Sequence, residues 1–112
     1  MSEYRVILST AAIEHAESIQ AWWRRNRPAA PDLFLDELNA TKRLLSSVPR
    51  TGALYARSPV RGVRRLLIGR SKYHLYWEID ETAHAVWIQA IWHAERGTGP
   101  PLSPRSREVP DA

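Results

Sequence analysis

The clearest hydrophobic pattern lies between residues 62 and 92, where three strand-like segments follow one another with short breaks. Residues 62–68 are rich in Val, Leu and Ile and end at a glycine, which suits a strand that closes in a turn. Residues 83–92 are apolar at nearly every position, as in a strand covered on both faces. Residues 73–79 alternate, with four bulky side chains on one face: Tyr73, Leu75, Trp77 and Ile79. Because a parallel return needs a long crossover, these short breaks predict an antiparallel three-stranded meander.

A short strand and a helix are predicted at the start of the chain. Residues 3–8 alternate between the two faces of a strand. Ser9 or Thr10 then offers a hydroxyl that can accept a hydrogen bond from a free N–H of a first helical turn. A helical spacing of apolar residues follows, at Ala12, Ala16, Ile19 and Trp23. This first helix should end near Asn26, before Pro28.

A second helix is predicted to begin at Pro31 and Asp32, where a missing N–H costs little and a carboxylate is favoured. It should end before Pro49, and the short connection makes the two helices a hairpin. Their apolar stripes should pack on one face of the sheet through Ile19, Trp23, Phe34, Leu38 and Leu45. The predicted fold is therefore α+β, with the order β-α-α-β-β-β and an antiparallel sheet carrying an N-terminal helical hairpin on one face.

The chain of 112 residues is long enough for one self-sufficient domain, which we place at residues 1–97. Residues 98–112 contain four prolines, and we expect them to form a flexible tail. The absence of cysteine excludes disulfides and thiolate zinc sites, and no apolar run approaches the ~18 residues of a membrane span. We expect a soluble cytoplasmic protein that needs no cofactor.

Positive charge is concentrated in one part of the chain, although the net charge is only +4. Residues 50–72 contain no acid and seven basic side chains: Arg50, Arg57, Arg61, Arg64, Arg65, Arg70 and Lys72. Such a segment attracts phosphate backbones or acidic protein surfaces, or it is merely a solvated arginine-rich loop.

The candidate chemistry is restricted to arginine and histidine. The chain has no nucleophile elbow, phosphate-binding loop or zinc-protease motif, and its four histidines lack the spacing of a metal site. One group surrounds the meander: Arg64, Arg65, Arg70, His74, His93 and Arg96. Arginines can stabilise a phosphate and histidine can transfer a proton, which would suffice for metal-free RNA cleavage through the 2′-hydroxyl. The alternative is that these side chains only cover the solvent side of the sheet.

Two of the five tryptophans, Trp22 and Trp23, are adjacent in the first helix. Because neighbouring residues cannot share one helix face, one of them should be exposed in the isolated chain. A large exposed aromatic side chain often belongs to a protein interface, so we interpret one of the pair as a partner contact.

The order of elements, together with specific segments, resembles the RelE/ParE toxin superfamily of bacterial type II toxin–antitoxin modules. The resemblance covers residues 3 to about 100 and rests on four segments: YRVILSTAAIEHAESIQAWW, VPRTG, VRRLLIGRSKYHLYWEID and VWIQAIWHAERGTGP. It implies a toxin that a cognate antitoxin holds inactive in a hetero-oligomer. For partner contacts we single out Trp22, Arg57, Arg61, Arg64 and Arg65.

Two branches of the superfamily imply different activities. In the branch that cleaves mRNA at the ribosome, Arg65 or Arg70 would match the sheet arginines, Arg96 the arginine after the last strand, and His93 the acid or base. However, no tyrosine follows Tyr76 and no pair of lysines follows the second helix. The resemblance is therefore closer to the ParE-like branch, which inhibits DNA gyrase without known catalytic residues, and we favour a binding protein over an enzyme.

Overall fold

The chain folds into two helices and a five-stranded sheet in a computed structural model that describes residues 3–97 and 99–103. The elements are β1 (Arg5–Leu8), α1 (Thr10–Asn26), α2 (Leu33–Ser47), β2 (Ala53–Leu54), β3 (Arg64–Ile68), β4 (Tyr73–Asp80) and β5 (Ala85–His93). The predicted α+β class and the β-α-α-β-β-β order are confirmed. The structure adds only the two-residue strand β2, which lies in the segment predicted to be an irregular loop.

The sheet has the strand order β1-β5-β4-β3-β2, and β3, β4 and β5 form the predicted antiparallel meander. The prediction that the whole sheet is antiparallel needs one correction, because β1 pairs with β5 in parallel. The rule that short connections force antiparallel pairing applies within the meander. It does not constrain β1, because two helices and three strands separate β1 from its partner.

The main core lies between the helical hairpin and one face of the sheet. The helices contribute the predicted stripe of apolar residues, and β4 contributes the predicted alternate face, so both patterns are confirmed. The buried members are Ala12, Trp23, Phe34, Leu38, Leu45, Ile68, Tyr73, Leu75, Trp77, Val86, Ile88 and Ile91. Trp77 is completely buried, and its indole Nε1 donates to the Pro49 carbonyl 2.9 Å away. This contact holds the loop after α2 against the sheet.

A β-bulge at Gln89 changes which side chains of β5 face the helices. Tyr76 lies opposite Ala90, whereas the next residue, Trp77, lies opposite Ile88, so Gln89 is the extra residue. The register shift brings Ile91 to the helix side although Ile88 also lies there. The sequence does not indicate this bulge. When nearly every position of a strand is apolar, either set of alternate residues could face the helices.

Beyond the end of β1, the start of helix α1 supplies the hydrogen-bond partners for the same edge of β5. The Ser9 N–H donates to the Ile88 carbonyl at 2.9 Å, and the Ser9 hydroxyl donates to the Gln89 carbonyl at 3.2 Å. The same hydroxyl accepts from the Ala12 N–H, so Ser9 is the helix cap rather than Thr10. The Ile91 N–H then donates to Nδ1 of His15 at 3.2 Å.

The opposite face of the sheet, which we call the outer face, carries a smaller cluster. Its buried members are Val63, Tyr76 and Ala90, and the half-buried Leu102 packs against them. The described C-terminal residues, 99–103, therefore contact the outer face at Leu102. The remainder of the predicted tail, residues 98 and 104–112, lies outside the described residues.

Glu37 of α2 fixes the turn between β3 and β4. Its carboxylate accepts hydrogen bonds from the Arg70 N–H at 2.6 Å and from the N–H and hydroxyl of Ser71 at 2.9 and 2.5 Å. Desolvation alone would raise the pKa of Glu37, but these bonds and the nearby Arg70 charge outweigh it, so the pKa is lowered. The turn that bears Arg70 is thus anchored to the helical hairpin.

Replacing Glu37 by Ala should lower the free energy of unfolding by about 1 to 3 kcal/mol, because three donors lose a charged acceptor. Urea unfolding followed by circular dichroism measures the change. Glu17→Ala removes an exposed carboxylate from α1 and serves as the control, with an expected change within about 0.5 kcal/mol. Equal effects of the two substitutions would contradict the anchoring role.

The contribution of Glu37 should also depend on pH. Because its pKa is lower in the folded state, its stabilisation is complete above the unfolded pKa of about 4.3 and is lost as the pH falls through the folded pKa. The difference in unfolding free energy between the wild type and Glu37→Gln should therefore shrink on acidification from pH 7. A difference that grows as the pH falls would contradict the direction of the shift.

Candidate functional site

An open groove of about 860 Å³ runs between α1 and the adjoining ends of β4 and β5. Its floor is apolar, with Ile19 and Trp23 from the helix and Tyr73 and Ile91 from the strands. Its rim is mostly cationic, because three arginines and a single carboxylate, Glu14, line it. The groove is therefore suited to a ligand that combines apolar and negatively charged groups.

Two arginine–tryptophan pairs form part of the groove wall. The Arg27 guanidinium carbon lies 5.2 Å from the Trp22 ring centroid, and the Arg96 guanidinium carbon lies 4.1 Å from the Trp92 ring centroid. Both distances are within the range of cation–π contacts. Stacking on a ring restricts a guanidinium group and leaves its N–H edges free to point at a partner. In Arg27, Nη1 also donates to the Asn26 carbonyl at 3.1 Å.

The third arginine, Arg70, comes from the turn between β3 and β4. The hydrogen bonds from Glu37 to the Arg70 and Ser71 backbone hold this turn, and Ser71 itself is buried at the groove. Lys72 follows with a positive φ of 64°, which tightens the turn toward β4. Glu37 is therefore a positioning residue for the groove rather than part of its lining.

Two histidines line the groove, and each already accepts a backbone hydrogen bond. His15 accepts from Ile91, and His93 Nδ1 accepts from the Glu95 N–H at 3.1 Å. Burial lowers the pKa of His15, the Arg96 charge lowers it further, and Glu14 acts in the opposite direction. His15 is therefore neutral at pH 7, as an acceptor of a backbone N–H must be.

Arg65 lies on the outer face of the sheet, away from the groove. Its guanidinium carbon is 5.0 Å from the Tyr55 ring centroid, and Tyr55 packs edge-on against Tyr76 with ring centroids 5.0 Å apart. His74 lies on the same face, where burial and the Arg65 charge lower its pKa. This aromatic cluster was not anticipated as a unit, since Tyr55, Arg65 and Tyr76 come from three different strands or loops, each at least ten residues from the next.

The remaining arginines singled out for partner binding do not share one surface. Arg64 lies opposite the core residue Trp77 in the sheet register, so it points away from Arg65, and its Nη1 donates to the Arg50 carbonyl at 3.0 Å. Arg57 and Arg61 are exposed in the loop between β2 and β3. Arg50 forms an ion pair with Glu81. Part of the positive charge of residues 50–72 is therefore compensated by an acid from outside that segment.

The structure therefore brings together only part of the predicted sites. Arg70, His93 and Arg96 line the groove, and so does Trp22, the exposed member of its pair as expected. Arg65 is on the other face of the sheet. Sequence reasoning missed His15 and Arg27 as groove residues. The position of His15 on the helix face that contains Ile19 and Trp22 would have indicated it, whereas Arg27 follows the last turn of α1 and has no such signal.

Two features are absent from the described residues, 3–97 and 99–103. No helix in this part of the chain is both long and apolar enough to traverse a bilayer. No group of three or more His, Asp or Glu side chains in the same residues is arranged to hold a metal ion.

Comparison with known proteins gives consistent results. The family model described as the ParE toxin of the type II toxin–antitoxin system parDE matches residues 6–97. A chain of the chromosomal ParDE system from P. aeruginosa superimposes with a TM-score of 0.65 and 18% identity, covering 82% of this chain and 97% of that one. A comparison with curated protein sequences finds no match.

Chains of RelBE complexes show the same fold with lower TM-scores. A chain of a RelBE complex from Mycobacterium tuberculosis has a TM-score of 0.53 and 21% identity, covering 86% of this chain and 97% of that one. A chain of the intact E. coli RelBE complex has a TM-score of 0.50 and 19% identity, with coverages of 83% and 99%. Fold and family together define a toxin of a type II toxin–antitoxin system. The chain belongs to the ParE toxin family.

The adjacent tryptophans should differ sharply in their effect on stability. Trp23 is 8% exposed, so Trp23→Ala should lower the free energy of unfolding by about 3 to 5 kcal/mol. Trp22 is 39% exposed and loses mainly its contact with Arg27, so Trp22→Ala should cost about 1 kcal/mol or less. Chemical denaturation of the two variants measures both values. Comparable losses would show that the faces of α1 are assigned incorrectly.

Proposed function

We propose that this protein is a ParE-like toxin that binds and inhibits DNA gyrase and that a cognate antitoxin holds it inactive. The observation that carries the proposal is the ParE family match, which extends over residues 6–97 and so includes both helices and all of the strands except Arg5, the first residue of β1. The similarity to a chain of the ParDE system supports the same fold. Gyrase as the target comes from the resemblance to the ParE-like branch.

The arrangement of the arginines and histidines supports binding rather than catalysis. Arg65 and Arg70 were the alternative sheet arginines considered for RNA cleavage, and the sheet separates Arg65 from Arg70, His93 and Arg96. Metal-free cleavage requires an acid, a base and charge-stabilising groups around one phosphate. The four candidate residues do not surround one point, so the complete set is not available to a single phosphate.

One observation favours RelE-like mRNA cleavage as a second candidate. Arg70, His93 and Arg96 line the same groove, and Nδ1 of His93 is engaged with the Glu95 N–H. The other ring nitrogen, Nε2, would be the proton-transfer atom in such a mechanism. This candidate differs from the first in requiring His93 for toxicity.

A supercoiling assay decides between these candidates. Purified protein at saturating concentration should block the supercoiling of relaxed plasmid by gyrase, and His93→Ala should block it equally, because no proton transfer is involved. Adding the protein encoded by the neighbouring reading frame, as the antitoxin, should restore supercoiling. Full gyrase activity at saturating toxin would reject the proposal. Cleaved transcripts in cells that depend on His93 would then establish the second candidate.

A further inference from the structure

We propose that the groove beside α1 is the docking site for an acidic segment of the cognate antitoxin. An apolar side chain of that segment would lie on the groove floor, and its carboxylates would bind the arginines of the rim. The inference rests on the proposed toxin–antitoxin function and adds a location and a ligand chemistry. Of the residues expected to contact a partner, Trp22, Arg57, Arg61, Arg64 and Arg65, only Trp22 lines this groove.

The charges of the rim are largely uncompensated. Three guanidinium groups, from Arg27, Arg70 and Arg96, face one lining carboxylate, that of Glu14. Within residues 3–97 and 99–103, the ion pair that the structure contains joins Arg50 to Glu81, at a distant loop. Glu37 lies near Arg70, but its oxygens accept from backbone N–H groups and the Ser71 hydroxyl. The rim therefore retains positive charge for a partner.

The apolar floor and the stacked rings favour a peptide over a nucleic acid. Single-stranded nucleic acids bind by stacking bases on exposed aromatic faces. Here Arg27 lies over the Trp22 ring and Arg96 over the Trp92 ring, so a guanidinium group already occupies a face of each. The floor, lined by Ile19 and Ile91, instead matches a branched or aromatic side chain. Carboxylates on either side would reach the guanidinium edges.

The test measures the affinity of toxin variants for the antitoxin encoded by the neighbouring reading frame, using isothermal titration calorimetry. Arg70→Glu and Arg96→Glu should each weaken binding by about 30-fold or more, because each places a carboxylate against the acidic segment. Arg96→Gln should give a smaller loss in the same direction. Arg25→Glu makes the same charge change on an α1 residue outside the groove and should change the affinity less than about threefold.

Each other outcome has a defined meaning. Tight binding that survives the groove substitutions but is lost in Arg61→Glu would overturn the inference and place the antitoxin on the β2–β3 loop. Binding of a fluorescent single-stranded RNA that depends on Arg70 and Arg96, with antitoxin affinity unchanged, would overturn it in favour of a nucleic-acid site. If the wild type binds no antitoxin and leaves gyrase active, the proposed function fails. Circular dichroism confirms that each variant is folded.

Discussion

The structure depends on how the backbone N–H and C=O groups along both edges of β5 find hydrogen-bond partners. A strand inside a sheet must find partners for the N–H and C=O groups on each side, and β4 supplies them along one edge. On the other edge β1 pairs only as far as Ile88. Beyond Ile88, the hydrogen bonds to this edge come from the start of α1. The cap residue Ser9 donates to the Gln89 carbonyl, and His15 accepts from the Ile91 N–H. A helix thus completes the edge that a four-residue strand leaves open.

This arrangement also creates the groove. Beyond β1 the edge is bound by the backbone N–H and hydroxyl of Ser9 and by the His15 side chain, so α1 crosses beside the end of β5 and leaves a space between helix and strand. The bulge at Gln89 then directs Ile91 to the floor, while Trp92, which belongs to the outer-face cluster, also reaches the groove wall. The sheet places Arg65 and its tyrosines on the outer face. The protein therefore has two chemically distinct surfaces, the groove beside α1 and the outer face of the sheet.

The sequence predicted local elements well and long-range pairing only in part. Alternation in β4 and the helical spacing from Ala12 to Trp23 identify which side chains meet in the core, since each pattern has one physical period. The parallel pairing of β1 with β5 joins residues about 80 positions apart, and no turn chemistry encodes it. Arg64 and Arg65 were grouped by proximity in sequence, yet adjacent residues of a strand point to opposite faces. Charge clustering along a chain therefore does not establish clustering on a surface.

The most direct test of this account is the hydrogen bond between α1 and β5. In isotope-labelled protein, NMR can detect a scalar coupling between the backbone nitrogen of Ile91 and Nδ1 of His15. The account predicts this coupling at neutral pH, with the His15 proton on Nε2, and its loss only when the pH falls below the ordinary histidine pKa of about 6.5. The absence of the coupling, or a proton on Nδ1 at neutral pH, would contradict it.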